Sequence, residues 1–117
     1  MKGHFRLGVQ DGEWGYFGVV SIDVEVTGGP EIQVSFGSRE MRWRAGIVFG
    51  LAHAKEKVFG ERAGDLVHVI EIRGHEVDTT ETVMAYVAAN AFFDAVKAER
   101  PSALTMDKSA GAFTFPK

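Results

Sequence analysis

Between Val20 and Val26 the chain alternates strictly: Val20, Ile22, Val24 and Val26 are apolar, and Ser21, Asp23 and Glu25 between them are not. A period of two sends successive side chains to opposite sides of an extended backbone, so this stretch is a strand with one face buried and one face wet. The strand reaches back to Gly15. A shorter candidate, Phe5-Arg6-Leu7-Gly8-Val9, precedes it across the turn Asp11-Gly12. Gly28-Gly29-Pro30 then leads into a third alternating stretch, Glu31 to Phe36. Three successive strands joined by turns predict an antiparallel meander.

The period then changes. From Met41 to Phe59, Ile47, Leu51, Ala54 and Val58 recur at helical spacing, with Val48, Ala52 and Phe59 beside them. Lys55 and Lys57 fall late in this helix, where the macrodipole favours cations, and Gly60 is its stop. Gly46 and Gly50 lie inside it, each costing about 1 kcal/mol relative to alanine. That cost points to a neighbour at close range, and the sheet is the expected neighbour. Leu66 to Ile72 reads as a fourth strand ending at Gly74. A second helix follows, with Asp78 as its N-cap and Glu81 completing a box-like pair. Its apolar face runs through Val83, Met84, Val87, Ala88, Ala91, Phe92, Ala95 and Val96, Arg100 sits near its end, and Pro101 stops it. Beyond Ser109-Ala110-Gly111, Ala112 to Phe115 is a candidate closing strand. The order β-β-β-α-β-α predicts an α+β domain with helices layered on one face of a sheet.

One domain is all that 117 residues support. With 45% hydrophobic and 25% charged residues the chain has the balance of a globular protein. No apolar stretch is long enough to span a bilayer, and the first residues, Met1 to Arg6, lack a signal-peptide core, so the expected location is the cytoplasm. The chain has no cysteine, which excludes disulfides, thiolate metal sites and a cysteine nucleophile. The formal charge of −3 excludes a basic surplus of the kind that holds nucleic acid by phosphate neutralisation, but not a local basic face. Arg39, Arg42 and Arg44 cluster, and Lys55, Lys57 and Arg62 follow; such runs are commonly the solvated side of a helix.

Other constellations point to little chemistry. His75 and Asp78 are spaced so that a carboxylate orients an imidazole, but no nucleophile accompanies them. His53, His68 and His75 with Asp78 match no established metal spacing, so no metal is expected. No P-loop pattern is present, which removes nucleotide hydrolysis by that route. Trp14, Tyr16 and Phe17 invite base stacking or fill a core rim. Trp43, between Arg42 and Arg44, is either a partner contact or the first residue of the helix's buried stripe.

Several segments resemble domain IV of the ribosomal translocase elongation factor G. His75-Glu76-Val77-Asp78-Thr79-Thr80-Glu81 is similar to the family pattern His, any residue, Val, Asp, two Ser or Thr, then Glu, with threonines in place of the usual serines. Ala91-Phe92-Phe93-Asp94-Ala95-Val96 followed by Pro101 resembles the end of the family helix, and Gly15-Tyr16-Phe17-Gly18-Val19-Val20 resembles the start of its long strand. Gly50-Leu51 fits the first helix. The likeness covers roughly residues 12 to 104. There are departures: Gly74 meets His75 directly where the family has a longer loop, Ala103-Leu104-Thr105 stands where Leu-Glu-Pro is usual, and Asp11 and Glu13 replace common basic residues.

The resemblance implies a two-layer sandwich containing a left-handed β-α-β crossover, an exception to the usual right-handed rule. It also implies a domain without the GTPase: a non-catalytic binding module with no cofactor and no nucleotide. The module would touch the ribosome or a structured RNA through the loops Gly12 to Gly18 and Gly74 to Asp78. Gly15, Tyr16, Phe17, Gly18, Gly74 and His75 are the contact residues carried over, and Arg42, Trp43 and Arg44 join them from the residue reading above. The alternative expectation is a protein partner, most simply a second copy of the chain, with the fold kept and RNA binding lost.

Overall fold

The alternating stretch forms the longest strand of the molecule. A computed structural model describes residues 1–11, 14–26, 32–59, 65–76, 78–99, 104–107 and 112–115. In chain order these form β1 (Lys2–Asp11), β2 (Trp14–Val26), β3 (Gln33–Phe36), α1 (Arg44–Phe59), β4 (Asp65–Arg73), α2 (Glu81–Val96), β5 (Thr105–Asp107) and β6 (Ala112–Thr114). The turns expected at Asp11-Gly12 and Gly28-Gly29-Pro30, the Gly60 stop, Arg62, Arg100, Pro101 and Ser109 to Gly111 lie wholly or partly outside the described residues.

The fold is α+β, with a mixed four-stranded sheet in the order β1-β2-β4-β3. The expected meander holds only for its first hairpin, in which β1 and β2 run antiparallel from Lys2↔Asp23 to Asp11↔Trp14. The third strand departs from it: β3 pairs in parallel with β4, and β4 lies antiparallel to β2 between them. The physical reason is burial. β4 carries Val67, Val69 and Ile72 into the core and takes a central place, leaving the four-residue, half-exposed β3 at the edge. A bulge interrupts β4: Ser21 pairs with Glu71 but Ile22 pairs with Val69. The skipped residue, Ile70, is 44% exposed, and beyond it the inward set changes parity from Val67 and Val69 to Ile72.

The core lies between the helices and the sheet face that carries Leu7, Val20, Ile22, Val24, Val67 and Val69. α2 is almost wholly buried, from Val83 to Ala95 apart from Asp94. α1 buries Ile47, Leu51 and Ala54, as the helical spacing predicts. Its two glycines, however, face α2 rather than the sheet: a Cβ on Gly46 would strike the Glu81 carbonyl, and one on Gly50 the Ala85 carbonyl. The missing side chains let the two helix backbones approach closely.

The start of α2 differs from the expected cap. Thr80, not Asp78, is the N-cap; its backbone is extended and its hydroxyl accepts from Val83 N–H at 3.1 Å. Glu81 is the first helical residue, and its carboxylate does not fold back in a capping box. It accepts from the backbone N–H of Gly46 on α1, closing one of that helix's open N-terminal donors. At the far end Lys97 takes a left-handed conformation (φ 57°), and Ala98 N–H bonds to the Phe93 carbonyl at 3.0 Å. The helix therefore ends ahead of Arg100. The closing strand at Ala112–Thr114 pairs with β5 rather than with the main sheet. Leu104 anchors this hairpin in the core, Phe113 packs on Tyr86 and Tyr16, and Phe115 reaches Phe49 and His53 on α1.

Candidate functional site

The end of the sheet at which β4 runs out into residues 74–79 is stitched to β2 by one buried side chain. Thr79 donates its hydroxyl to the Phe17 carbonyl at 2.6 Å and accepts from the backbone N–H of His75 at 2.7 Å. Two backbone bonds complete the join: Phe17 N–H to the Asp78 carbonyl at 3.1 Å, and Thr79 N–H to the His75 carbonyl at 2.9 Å. Thr79 is 5% exposed, so all its polar capacity is spent inside. In the sequence Thr79 stands out only as one of the two threonines of the motif ahead of Glu81. The signal that would have found it is a hydroxyl directly ahead of the capping threonine, since neighbouring residues at a cap point to different sides.

The joined loops frame a groove of about 380 Å³. Arg6, Gly8 and Val9 of β1 form one wall, Tyr16 and Phe17 of β2 lie beside them, and Gly74, His75 and Asp78 close it. The Arg6 guanidinium lies over the Phe17 ring, 5.5 Å from its centre. The exposed His75 has its Nδ1 3.9 Å from the Asp78 carboxylate. One fixed cation, one carboxylate and one imidazole give the groove a mixed charge, so it selects by shape and stacking as much as by sign.

The structure brings together Tyr16, Phe17, Gly74, His75 and Asp78, but sorts the remaining expected contacts differently. Gly18 is buried under Val87 and Met84 of α2, while Tyr16, half-buried at the groove, also meets Phe113 edge-on. Gly15 is half-buried in β2. Trp43 belongs to the core at 8% exposure and so cannot offer its face to a base. It packs against Gly74, where a Cβ would come within 2.5 Å of the indole, and it holds a left-handed backbone (φ 67°) just ahead of α1. A bulky residue in that region is strained, and packing must hold it there.

Arg42 lies across the indole, 4.4 Å from its centre, and is gripped by Glu40 through Nε to Oε1 at 3.0 Å and Nη2 to Oε2 at 3.1 Å. Those side-chain bonds, followed by the backbone N–H of Arg42, hold the Glu40 carboxyl down to about 2. Glu76 lies 3.6 Å from the same guanidinium. Arg44 ties down its own loop by donating to the carbonyls of Glu40 and Ser38, both at 3.0 Å, and it covers Phe36. The arginine cluster is thus the internal clamp of the segment leading into α1. Arg39 is exposed, with no bonded partner among the described residues.

Among the described residues no group of histidines and carboxylates is arranged to hold a metal ion. His53, His68 and His75 lie apart: His53 between Phe49 and Phe115, His68 bonded to Ser35 at 2.8 Å, and His75 at the groove. No described helix is long and apolar enough to cross a membrane.

Fold and groove define the class: an α+β domain of a mixed four-stranded sheet and two helices, whose loops meet in an open groove at one end. No family model matches the chain, and no curated protein matches it in sequence. Among solved structures it is similar to a crystal structure from Thermus thermophilus, with 21% sequence identity and a TM-score of 0.64 over 78% of this chain. At that identity the likeness is one of fold. The chain spans only 14% of that protein's length.

Proposed function

We propose that the chain is a non-catalytic binding module, taking no nucleotide or cofactor, that engages structured RNA through the groove lined by Arg6, Tyr16, Phe17, Gly74, His75 and Asp78, with the ribosome as the first target. The observation that carries this is the Arg6–Phe17 stack beside His75 on a tip made rigid by Thr79. RNA is read mostly at splayed bases, which stack on aromatic rings and guanidinium planes while polar groups reach edges and phosphates. The mixed charge predicts modest affinity. The reading includes membership of the elongation factor G domain IV type, with a left-handed β3-α1-β4 crossover and a cytoplasmic setting. The motif resemblance and the element order support it. So does the small share of the Thermus protein that this chain matches, as expected of one unit of a larger architecture.

The test is co-sedimentation with ribosomes and their subunits at low and raised salt. Binding that falls with salt and is reduced by Arg6→Ala and His75→Ala supports the groove. Salt-insensitive binding, or binding indifferent to both substitutions, sinks it. A second reading, a protein partner, is favoured by a separate observation: Met41 (71% exposed), Phe49 (56%) and Val48 (37%) stand in solvent at or just ahead of α1.

A further inference from the structure

A helix that is apolar all round is ordinarily buried all round. α1, apolar all round from Ala45 to Ala52, breaks that rule. Gly46, Ile47, Gly50, Leu51 and Ala54 point inward, while Ala45, Val48 and Phe49 face solvent and Ala52 is half-covered. At 100° per residue Ala45, Val48, Phe49, Ala52 and Glu56 share the outward face. Exposed apolar groups scattered singly need no explanation, but a contiguous stripe along one helix marks an interaction surface.

The stripe has relief. Beside it, where the first turns of α1 and α2 meet, is a hole of about 290 Å³ floored by Ala45, Gly46 and Ala85 and walled by Phe49 and Phe115. Glu81 and Thr82 also line it, and the Glu81 carboxylate accepts from the backbone N–H of Gly46. Hole and knob therefore sit side by side on one face, which is what a twofold contact between identical surfaces requires.

We propose that this face seats a second copy of the chain, with the two α1 helices antiparallel and each Phe49 ring entering the other's hole. The inference takes up the second reading above and uses none of the residues that line the groove. Charge supports the same arrangement. Glu56, outward-facing and with no ion-pair partner among the described residues, would be carried towards the segment ahead of the other α1, where Arg39 is exposed and unpaired among the described residues. The antiparallel order also sets each helix's negative C-terminal end near the other's positive N-terminal end. A face 16 residues long falls short of the roughly 800 Å² per partner of a standard interface, so the dimer should be weak, with a dissociation constant on the order of 10–100 µM.

Sedimentation equilibrium of the full chain, from about 5 to 500 µM, tests this, since that range brackets the expected constant. The expected result is a monomer–dimer equilibrium weakened at least ~10-fold by Ala45→Glu. That substitution adds charge to an exposed first-turn position where a carboxylate suits the helix dipole, so the thermal melt should not fall. Phe49→Glu should act alike. Glu56→Arg should weaken the dimer about 3-fold, and Arg39→Glu in the same chain should recover it. A monomer throughout the range, or a dimer indifferent to Ala45→Glu, overturns the proposal. Ribosome co-sedimentation of the Ala45→Glu chain separates the two surfaces: loss of dimer with binding retained leaves the groove standing, and a wild-type dimer that binds no RNA removes the groove reading alone.

Discussion

α1 and α2 are both 16 residues long and both rich in apolar side chains, yet α2 buries twelve of its residues and α1 six. The difference lies in their neighbours. α2 is pressed between the sheet, where Gly3 and Gly18 leave room for it, and α1, where Gly46 and Gly50 do the same, and Phe113 covers part of its remaining surface. The molecule itself accounts for every apolar residue of α2. α1 has α2 and the sheet face on one side and, among the described residues, Phe115 on the other, so Val48 and most of the Phe49 ring stay in solvent. Apolar composition alone does not distinguish a central helix from one that awaits a cover.

The largest expected effect would break this contrast if it failed. Phe92 in α2 is fully buried and meets Phe59 edge-on at 6.2 Å. Phe92→Ala should lower unfolding stability by about 3–5 kcal/mol in urea denaturation, from lost transfer energy plus the cavity left behind. Phe49→Ala should cost less than about 1 kcal/mol at protein concentrations where the chain is a monomer. Equal losses would mean that Phe49 is as internal as Phe92. Next in size is Gly50→Ala. At a free helix position that change gains about 1 kcal/mol of propensity. Here the new methyl meets the Ala85 carbonyl, so a net loss of roughly 1–3 kcal/mol is expected. A stabilised Gly50→Ala protein would show that the helices have room to part.

A smaller effect distinguishes the two capping assignments for α2. Thr80→Ala should cost about 1 kcal/mol, because the Val83 N–H loses its acceptor. Asp78→Ala should cost less, since among the described residues that carboxylate faces His75 alone, across 3.9 Å. The reverse ranking in thermal melts would restore Asp78 as the cap.

The cap shows where a sequence stops being legible. Asp78 and Thr80 are both good caps, and only the turn formed by Phe17, His75 and Thr79 decides that the helix starts at Glu81. The local rules worked where the determinant was local. The alternation of Val20, Ile22 and Val24 located β2 and its buried face, and the spacing of Ile47, Leu51 and Ala54 located the inner side of α1. They failed where the determinant was distant. Nothing near residues 31–36 tells that β4 will insert beside β2, and nothing near Gly46 tells that its neighbour is Glu81 rather than a strand. For the candidate site, the motif residues Tyr16, Phe17, Gly74, His75 and Asp78 meet at one groove. Arg6, which supplies the groove's fixed cation, escaped notice because a lone arginine in a short strand carries no signal until β1 pairs with β2 and sets it in register with Val19, near Phe17. Trp43 between two arginines fitted a partner contact and a buried stripe equally well; its burial, left-handed backbone and packing on Gly74, visible only in three dimensions, favour the second.

The smallest expected effect sharpens the account of α1's outer side. His53 sits at the border of the exposed stripe, stacked on Phe49 with ring centres 6.3 Å apart and edge-on to Phe115 at 5.3 Å, and its Nε2 is buried with no hydrogen-bond partner. Burial lowers its pKa below the ordinary 6.5, the Lys57 charge adds to that, and Glu56 opposes it. A histidine whose folded pKa is depressed contributes stability that is fully present above the unfolded value and is lost as pH falls towards the folded one. Packing of the C-terminal hairpin on α1 should therefore loosen as pH drops below 6.5. In an NMR titration the His53 midpoint should lie below 6.5 and move back towards it in Phe115→Ala, which uncovers the ring. A midpoint at or above 6.5 in the intact chain would mean that Phe115 does not cover His53, leaving the outer face of α1 bare along its whole length.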